Sequence, residues 1–201
     1  MGVISNGTTL LDAGSLDSGV ATGAMTLLST VTASSSATVS FTSGINSTYK
    51  EYQVHYSDVH PATDNVNFLV NFRDGSSAFD ATKTSSSFAS YQNEAGNSTG
   101  LNYEGSFDSE QTTNAQPLNA GGGVGGDADE STSGILCLYD PSSTTFVKHF
   151  LSDTTFYNNS DYTIRSFIAG YCNTTAAIDG IQFSMSSGNI DAGTFKLYGI
   201  K

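Results

Sequence analysis

The sequence predicts an all-β protein: an antiparallel β-sandwich of jelly-roll type, with an N-terminal arm and one long inserted loop. Its 201 residues include 12 Phe and 10 Tyr but no Trp, together with 21 Gly and 3 Pro. Aromatic and β-branched residues favour strands, whereas glycine and short polar residues favour turns. Apolar and polar residues alternate along several segments, and no segment has the period of an amphipathic helix. A chain of this length can bury a sizeable core.

The first part of the chain is predicted to be an arm, and the sandwich domain is predicted to span residues 25–201. Residues 1–24 are mostly Gly, Asp, Ser and Thr, with scattered apolar residues such as Leu10 and Leu11. This composition is too poor in apolar side chains to build a core of its own. Two interpretations are open: an anchor that lies over another subunit, and a frayed terminus.

Strand patterns begin at Met25. Residues 25–32 and 36–42 are strand-like and are separated by small residues, which predicts that the two segments pair as a hairpin. Residues 50–59 and 66–72 alternate more strictly, with a turn at residues 60–64 between them. The apolar residues of one parity are Tyr52, Val54 and Tyr56 in the first segment, and Val66, Phe68, Val70 and Phe72 in the second. A weaker strand pattern follows at residues 85–91.

The alternation stops in a long insertion at about residues 92–133. This stretch is rich in Asn, Ser, Gly, Gln and acidic residues, and its apolar residues are isolated. Structureless loops longer than about 15 residues are uncommon in compact domains. The insertion is therefore expected to be functional, to be ordered by external contacts, or to be mobile. The glycine-rich run at residues 121–126 is predicted to be its most flexible point.

Strand patterns resume after the insertion. They cover residues 135–139, 145–151 and 162–171, and then a closing pair within residues 178–200. In the closing pair, Ile181, Phe183 and Met185 share one parity, and a polar turn precedes a last strand that contains Phe195 and Leu197. The closing pair is predicted to be a hairpin of the rigid scaffold.

Charge and hydropathy exclude two classes of partner. Seven Lys and Arg oppose 19 Asp and Glu, for a formal net charge of -12. Such a chain repels phosphate backbones, so nucleic acid is not expected as a partner. No stretch approaches the ~20 apolar residues of a membrane-spanning helix, and no targeting signal is recognised at the start of the chain.

No pattern of residues predicts catalysis, and no cofactor is expected. The sequence has no G-x-S-x-G, H-E-x-x-H, phosphate-loop or C-x-x-C motif. His55, His60 and His149 are dispersed, which is typical of surface or core-edge histidines. The best candidates for a metal site are the carboxylates of Asp127, Asp129 and Glu130, but they lack the spacing of a calcium loop, and a solvated acidic loop is the competing interpretation.

The two cysteines and the tyrosines allow further alternatives. Cys137 and Cys172 lie in apolar, strand-like surroundings and are interpreted as buried free thiols, with a single disulfide as the alternative. Several tyrosines near predicted loops are able to offer aromatic platforms to a glycan, although the chain lacks Trp. The alternative is that these rings pack with their hydroxyls at the surface. These tyrosines are Tyr91, Tyr103, Tyr139, Tyr157 and Tyr162.

Several segments resemble small virion proteins of marine tailed phages, cyanophages among them. The resemblance rests on ISNGTT at residues 4–9, HPATD at 60–64, DPSSTTFVKHF at 140–150, SSGNIDAGT at 186–194 and the ending GTFKLYG at 193–199. It covers most of the chain but not the insertion, and its motifs contain no catalytic residue. It implies a structural protein of the particle, in which capsid decoration and tail appendage are both open.

We therefore expect a non-enzymatic virion protein on the particle surface, with capsid decoration or cement as the leading role. A tail fibre or receptor-binding tip that recognises a host-surface glycan is the alternative. The expected partners are major capsid or tail proteins and further copies of the chain, as a homo-oligomer and in particular a trimer. Assembly in a bacterial cytoplasm keeps the thiols reduced. The arm and the insertion are expected to make the contacts, through Leu10, Leu11, Tyr91, Tyr103 and Phe107.

Overall fold

The structure is a computed structural model that describes residues 3–5, 8–12, 15–16 and 23–201. It is nearly all β, with 57% strand and 2% helix, so the predicted all-β class is confirmed. None of the helical structure in these described ranges is long and apolar enough to cross a membrane.

The described residues form fifteen strands and one 3₁₀ turn at Gly105–Phe107. In chain order the strands are β1 Val3–Ser5, β2 Thr8–Asp12, β3 Ser15–Leu16, β4 Met25–Ser36, β5 Thr38–Phe41, β6 Glu51–Pro61, β7 Phe68–Arg73, β8 Lys83–Asn93, β9 Thr99–Tyr103, β10 Gln116–Pro117, β11 Thr132–Tyr139, β12 Lys148–Tyr157, β13 Tyr162–Cys172, β14 Gly180–Met185 and β15 Ile190–Ile200.

Two antiparallel sheets pack face to face as a β-sandwich. The large sheet has eight strands in the order β4-β15-β6-β11-β12-β13-β8-β9, and the small sheet has four in the order β10-β7-β14-β5. Four of the strand pairs are nested, because β6 pairs with β15, β7 with β14, β8 with β13 and β11 with β12. This nesting is the pairing of a jelly roll, but six of its eight strands lie in the large sheet, so the two layers are unequal.

The two predicted hairpins are wrong in their pairing, although their strands exist. β4 and β15 pair in the large sheet, whereas β5 and β14 pair in the small sheet. Each connection therefore carries the chain from one layer to the other. The alternation of residues predicts a strand and its buried face, but it does not identify the neighbouring strand, because that depends on where the connection leads.

The core lies between the layers and is rich in aromatic rings. Phe68 and Phe183 of the small sheet stack with ring centroids 5.6 Å apart. Tyr56 and Phe195 of the large sheet meet them, with centroids 5.2 Å apart for Tyr56 and Phe68 and 5.2 Å apart for Phe183 and Phe195. Full burial stabilises the fold by about 1.5–3 kcal/mol for each such apolar ring. The predicted buried parity of residues 50–59 and 66–72 is confirmed.

Two lysines are buried at one end of the inner face. Lys148, Cys172 and Lys83 form a cross-strand row on β12, β13 and β8. The ammonium of Lys83 donates to the carbonyl oxygen of Asn114 at 2.8 Å, and that of Lys148 donates to the carbonyl oxygen of Thr174 at 2.8 Å. Burial lowers the pKa of Lys83 to about 8 and raises the pKa of Cys172 to about 12. Each lysine thus links its strand to the backbone of a neighbouring loop through hydrogen bonds from its ammonium group.

Both cysteines are free thiols, and they lie on opposite faces of the large sheet. Cys172 is buried in the core, whereas Cys137 is only half-buried and faces outward from β11. The interpretation as free thiols is confirmed, but the predicted burial is right only for Cys172, and the disulfide alternative is wrong.

The insertion is built into the sandwich. Its β9 extends the large sheet beyond β8, and its β10 pairs with β7 at the edge of the small sheet. Leu118 and Val124 are buried, and the amide of Ala120 donates to the hydroxyl of Ser166 at 2.9 Å. Leu118 and Val124 therefore anchor the insertion against the core, whereas Leu101 and Tyr103 of the same stretch are exposed.

The glycine run at residues 121–126 is packed, in contrast to its predicted flexibility. A Cβ on Gly126 would lie 3.0 Å from backbone atoms of Asp64, and a Cβ on Gly123 would overlap Asn65. Val124 forms bridges with Val66 and with Asn158. Glycine is required here because two backbones approach each other closely, which sequence composition alone does not distinguish from flexibility.

Candidate functional site

The arm forms a small sheet of its own. β2 pairs with β1 on one side and with β3 on the other. Among the described residues, these three strands pair with one another and with neither sheet of the sandwich. Val3 and Ile4 are more than half exposed. Three strands of two to five residues are near the lower limit of independent stability, so an additional apolar surface would stabilise the arm.

The second candidate is an apolar patch on the outer face of the large sheet. We call it the outer patch. It consists of Phe88, Leu101, Tyr103, Ile135, Leu151 and Phe167. Five of its side chains are among the most exposed large apolar residues described, at 45% for Phe88, 69% for Leu101, 69% for Tyr103, 37% for Ile135 and 46% for Leu151. Contiguous exposed apolar surface of this kind commonly marks an interaction site.

Strand register brings the outer patch together. Tyr103 pairs with Phe88, Phe88 with Phe167, Phe167 with Asp153, and Asp153 with Ile135, so one row crosses five strands. Leu151 lies two residues from Asp153 on the same face of β12, and Leu101 lies two residues from Tyr103 on β9. Paired residues of neighbouring strands point to the same side of a sheet, which places these side chains on one surface.

A shallow cavity of about 450 Å³ lies at the centre of the outer patch. It is lined by the patch residues Phe88, Ile135, Leu151 and Phe167 and by Cys137. The rings of Phe88 and Phe167 stack with centroids 4.9 Å apart. Burial raises the pKa of the Cys137 thiol, so this cysteine is neutral near pH 7. The cavity therefore offers apolar contact and a thiol that reacts more slowly than an ordinary exposed cysteine.

One ion pair lies within the outer patch. The guanidinium of Arg165 donates from Nε to Oδ1 of Asp153 at 2.9 Å and from Nη2 to Oδ2 at 2.7 Å. The same guanidinium lies 4.3 Å from the ring centroid of Phe167. A bidentate pair that also contacts an aromatic face has its charges and donors largely satisfied within the chain. A partner can therefore cover this pair at lower cost than it could cover a lone charge.

The outer patch includes one of the predicted contact residues, Tyr103. Its hydroxyl donates to Asp108 at the rim, and this hydrogen bond raises the pKa of Tyr103. Tyr91 is half-buried and contacts Tyr162, with ring centroids 5.8 Å apart, and Phe107 is half-buried in the 3₁₀ turn. Leu11 is half-buried within the arm sheet, while the side chain of Leu10 lies outside the described residues.

The remaining tyrosines do not form one platform with Tyr103. Tyr157 donates to Glu94 at 2.9 Å and lines a polar cavity with Gln92 and Thr163. Tyr139 lines a separate cavity of about 580 Å³ with His149 and the exposed ring of Phe146. The tyrosines that were expected to bind a glycan therefore lie at separate places in the fold.

The acidic loop is arranged differently from a metal site. Glu130 is buried, and its Oε2 accepts a hydrogen bond from the backbone amide of Asp127 at 2.6 Å, so this carboxylate closes its own turn. Asp127 and Asp129 are exposed. Within the described part of the chain, no group of three or more His, Cys, Asp or Glu is placed to hold a metal ion.

Sequence reasoning missed most of the outer patch. Phe88, Ile135, Leu151 and Phe167 were not predicted as contact residues, because apolar residues on a strand are first assigned to a core. The sequence does contain one signal of an outward apolar surface, which is the parity of its apolar residues. In residues 162–171, Ile164 and Ile168 share one parity and Phe167 has the other. Apolar residues of both parities on a strand covered by only one layer indicate a second contact surface.

Comparison of the chain with protein-family models, with curated proteins and with solved structures finds no match.

Proposed function

We propose that the chain is a non-enzymatic structural protein of a phage particle, displayed on the particle surface as a capsid decoration or cement protein. The observation that carries this proposal is the arm, a small sheet with exposed Val3 and Ile4 that pairs apart from the sandwich. An arm of this kind is suited to lie on a neighbouring protein. The assignment to a phage particle rests on the segments that resemble virion proteins of marine tailed phages.

Incorporation into particles tests the proposal. We expect the wild-type chain to be found on the capsid of purified particles, and a variant that lacks residues 1–22 to remain folded but absent from them. Ile4→Asp should reduce incorporation strongly, because it places a charge on an apolar contact, while Ile4→Val serves as the matched control and should be incorporated normally. Full incorporation of the Ile4→Asp and truncated variants would overturn the anchoring role of the arm. Copies found on the tail alone would overturn decoration.

The alternative role, a receptor-binding tip that recognises a host-surface glycan, is favoured by one observation. The cavity between Tyr139 and His149 is rimmed by the ring of Phe146, which is 71% exposed, and by the carboxylate-bearing Asp140. Aromatic faces beside polar acceptors are suited to sugars. If this role applies, Phe146→Ala and Tyr139→Ala should reduce adsorption to host cells. Normal adsorption by both variants would count against it.

A further inference from the structure

We propose that the outer patch is an interface between copies of this chain, so that the outer face of the large sheet of one copy lies against a second copy. This inference goes beyond the proposed function, because copies can associate in solution without any particle. Its occupant is a second copy of the chain, and the argument rests on area, charge and the state of the polar groups within the patch.

The outer patch is large enough to form the apolar centre of an interface between copies. At about 200 Å² for each fully exposed large side chain, the five exposed patch residues present roughly 500 Å² of apolar surface. A stable interface buries about 800 Å² per partner, of which the apolar centre is a part and the polar rim is the rest. Gln53, Ser86 and Ala169 border the patch and extend the surface available for contact.

Charge favours this face over the rest of the molecule for contact between copies. The chain carries a formal net charge of -12, so two copies repel each other through most of their surfaces. The outward strand positions nearest the patch carry two carboxylates, Glu51 and Asp153, and two cations, Arg165 and Lys196. Two further acidic residues, Asp108 and Glu110, lie near Tyr103 at the rim of the outer patch. Like-charge repulsion is thus reduced at the centre of the patch, where Arg165 balances Asp153.

The polar groups at the centre of the outer patch are already paired. Arg165 and Asp153 satisfy each other through two hydrogen bonds, and the guanidinium packs on Phe167. A second copy can cover them without having to supply a countercharge. The outer patch of a second copy is also apolar, and its own Arg165 and Asp153 are paired in the same way. The outer patches of two copies are therefore suited to pack against each other.

The mass of the purified full-length chain in solution tests the inference. At tens of micromolar we expect a species whose mass is a multiple of 21.0 kDa. Phe88→Asp and Leu151→Asp place a charge in the contact and should each weaken association by at least about thirty-fold, the loss expected for a central contact residue. Phe146→Asp is the matched control, because it adds the same charge at an exposed ring outside the patch, and should leave association unchanged. Circular dichroism identifies any variant that fails to fold.

Alkylation of Cys137 gives a second measurement that does not depend on mass. Cys137 lines the patch, whereas Cys172 is buried in the core. We expect Cys137 to be protected from a small alkylating reagent in the wild-type assembly and to react at least ten-fold faster in Phe88→Asp. A wild-type chain that stays monomeric, or an assembly that survives both patch substitutions with Cys137 equally protected, would overturn the inference. Neither result would affect the proposed function, which is decided by the presence of the chain on particles.

Discussion

The two faces of the large sheet are made by the same strands but have different roles. The inner face carries Tyr52, Leu136 and Phe150, which are buried against the small sheet. The outer face carries Phe88, Leu151 and other large apolar side chains that no element of the described chain covers. The difference shows that apolar content does not define a core by itself. A residue on this sheet supports the fold when its parity points inward, and it is available for contact when its parity points outward.

The polar groups of the two faces differ in the same way. On the inner face, Lys83 and Lys148 are buried and donate to loop carbonyls. On the outer face, Arg165 and Asp153 are about half exposed and pair with each other. Buried polar groups without partners destabilise a fold strongly, whereas exposed pairs contribute little.

Removing an aromatic ring from the inner face should cost the most. Phe195 of β15 is fully buried and contacts Phe68 and Phe183. We expect Phe195→Ala to lower the free energy of unfolding by about 3–5 kcal/mol, because it removes apolar contacts and leaves a cavity. Urea unfolding measures the change, and Phe88→Ala, measured on dilute protein, is the matched outer-face control. Equal losses in the two variants would contradict the division of the sheet into a structural and a contact face.

Removing a buried hydroxyl should have a smaller effect. The Oγ of Ser166, on the inner face of β13, accepts a hydrogen bond from the amide of Ala120 in the insertion. Ser166→Ala leaves that amide buried without a partner, and we expect a loss of about 1–3 kcal/mol. Amide exchange should show the local effect as faster exchange at residues 118–124. Ser86→Ala, on an exposed position, should change stability by less than about 0.5 kcal/mol. A Ser166→Ala variant as stable as the wild type would show that this contact does not hold the insertion.

The pH dependence of stability should report on Lys83. Burial lowers its pKa to about 8, so between about pH 8 and 10.5 the unfolded chain binds more protons at this residue, and stability rises with pH. Burial raises the pKa of Cys172 and of Tyr56 to about 12, so the stability that they contribute is present below about pH 9 and is lost as the pH rises towards 12.

We therefore expect the urea midpoint to rise between about pH 7.5 and 9 and to fall at higher pH. Lys83→Met should diminish the rise and keep the fall. Burial also lowers the pKa of Lys148, so this lysine accounts for the rise that remains. An undiminished rise in Lys83→Met would mean that another group causes it.

Removing the outer ion pair should have the smallest effect on stability. The side chains of Asp153 and Arg165 are 46% and 57% exposed, so solvent screens the pair. We expect Asp153→Asn to lower the free energy of unfolding of dilute protein by about 0.2–1 kcal/mol, with a smaller loss at high salt. A loss above 2 kcal/mol would mean that the outer face contributes to the fold itself.

The strands could be predicted from the sequence, but their arrangement could not. Residues 50–59 and 66–72 alternate strictly, and β6 and β7 lie where the alternation places them. The pairing of β4 with β15 and of β5 with β14 depends on contacts between residues at least 140 positions apart, and local alternation contains no information about these contacts. The insertion escaped prediction for a related reason, since single residues such as Leu118 and Val124 hold it against the core without forming a periodic pattern.

The candidate contact surface was predicted only at its edge. Tyr103 was identified because it stands alone in a polar stretch, where an aromatic residue is conspicuous. Phe88 and Phe167 lie in apolar strands, and their outward direction becomes visible only when it is known that a single layer covers the sheet. The three-strand pairing of β1, β2 and β3 could not be predicted, because β1 and β3 are too short to show a period.

Electron microscopy of the intact particle shows what covers each face of the large sheet, and so decides whether the outer patch is an interface between copies. We predict that the outer face, with Phe88 and Leu151 at its centre, lies against a second copy of the chain, while the arm lies on a different protein of the capsid. A particle in which the outer face of the large sheet is open to solvent would contradict this account.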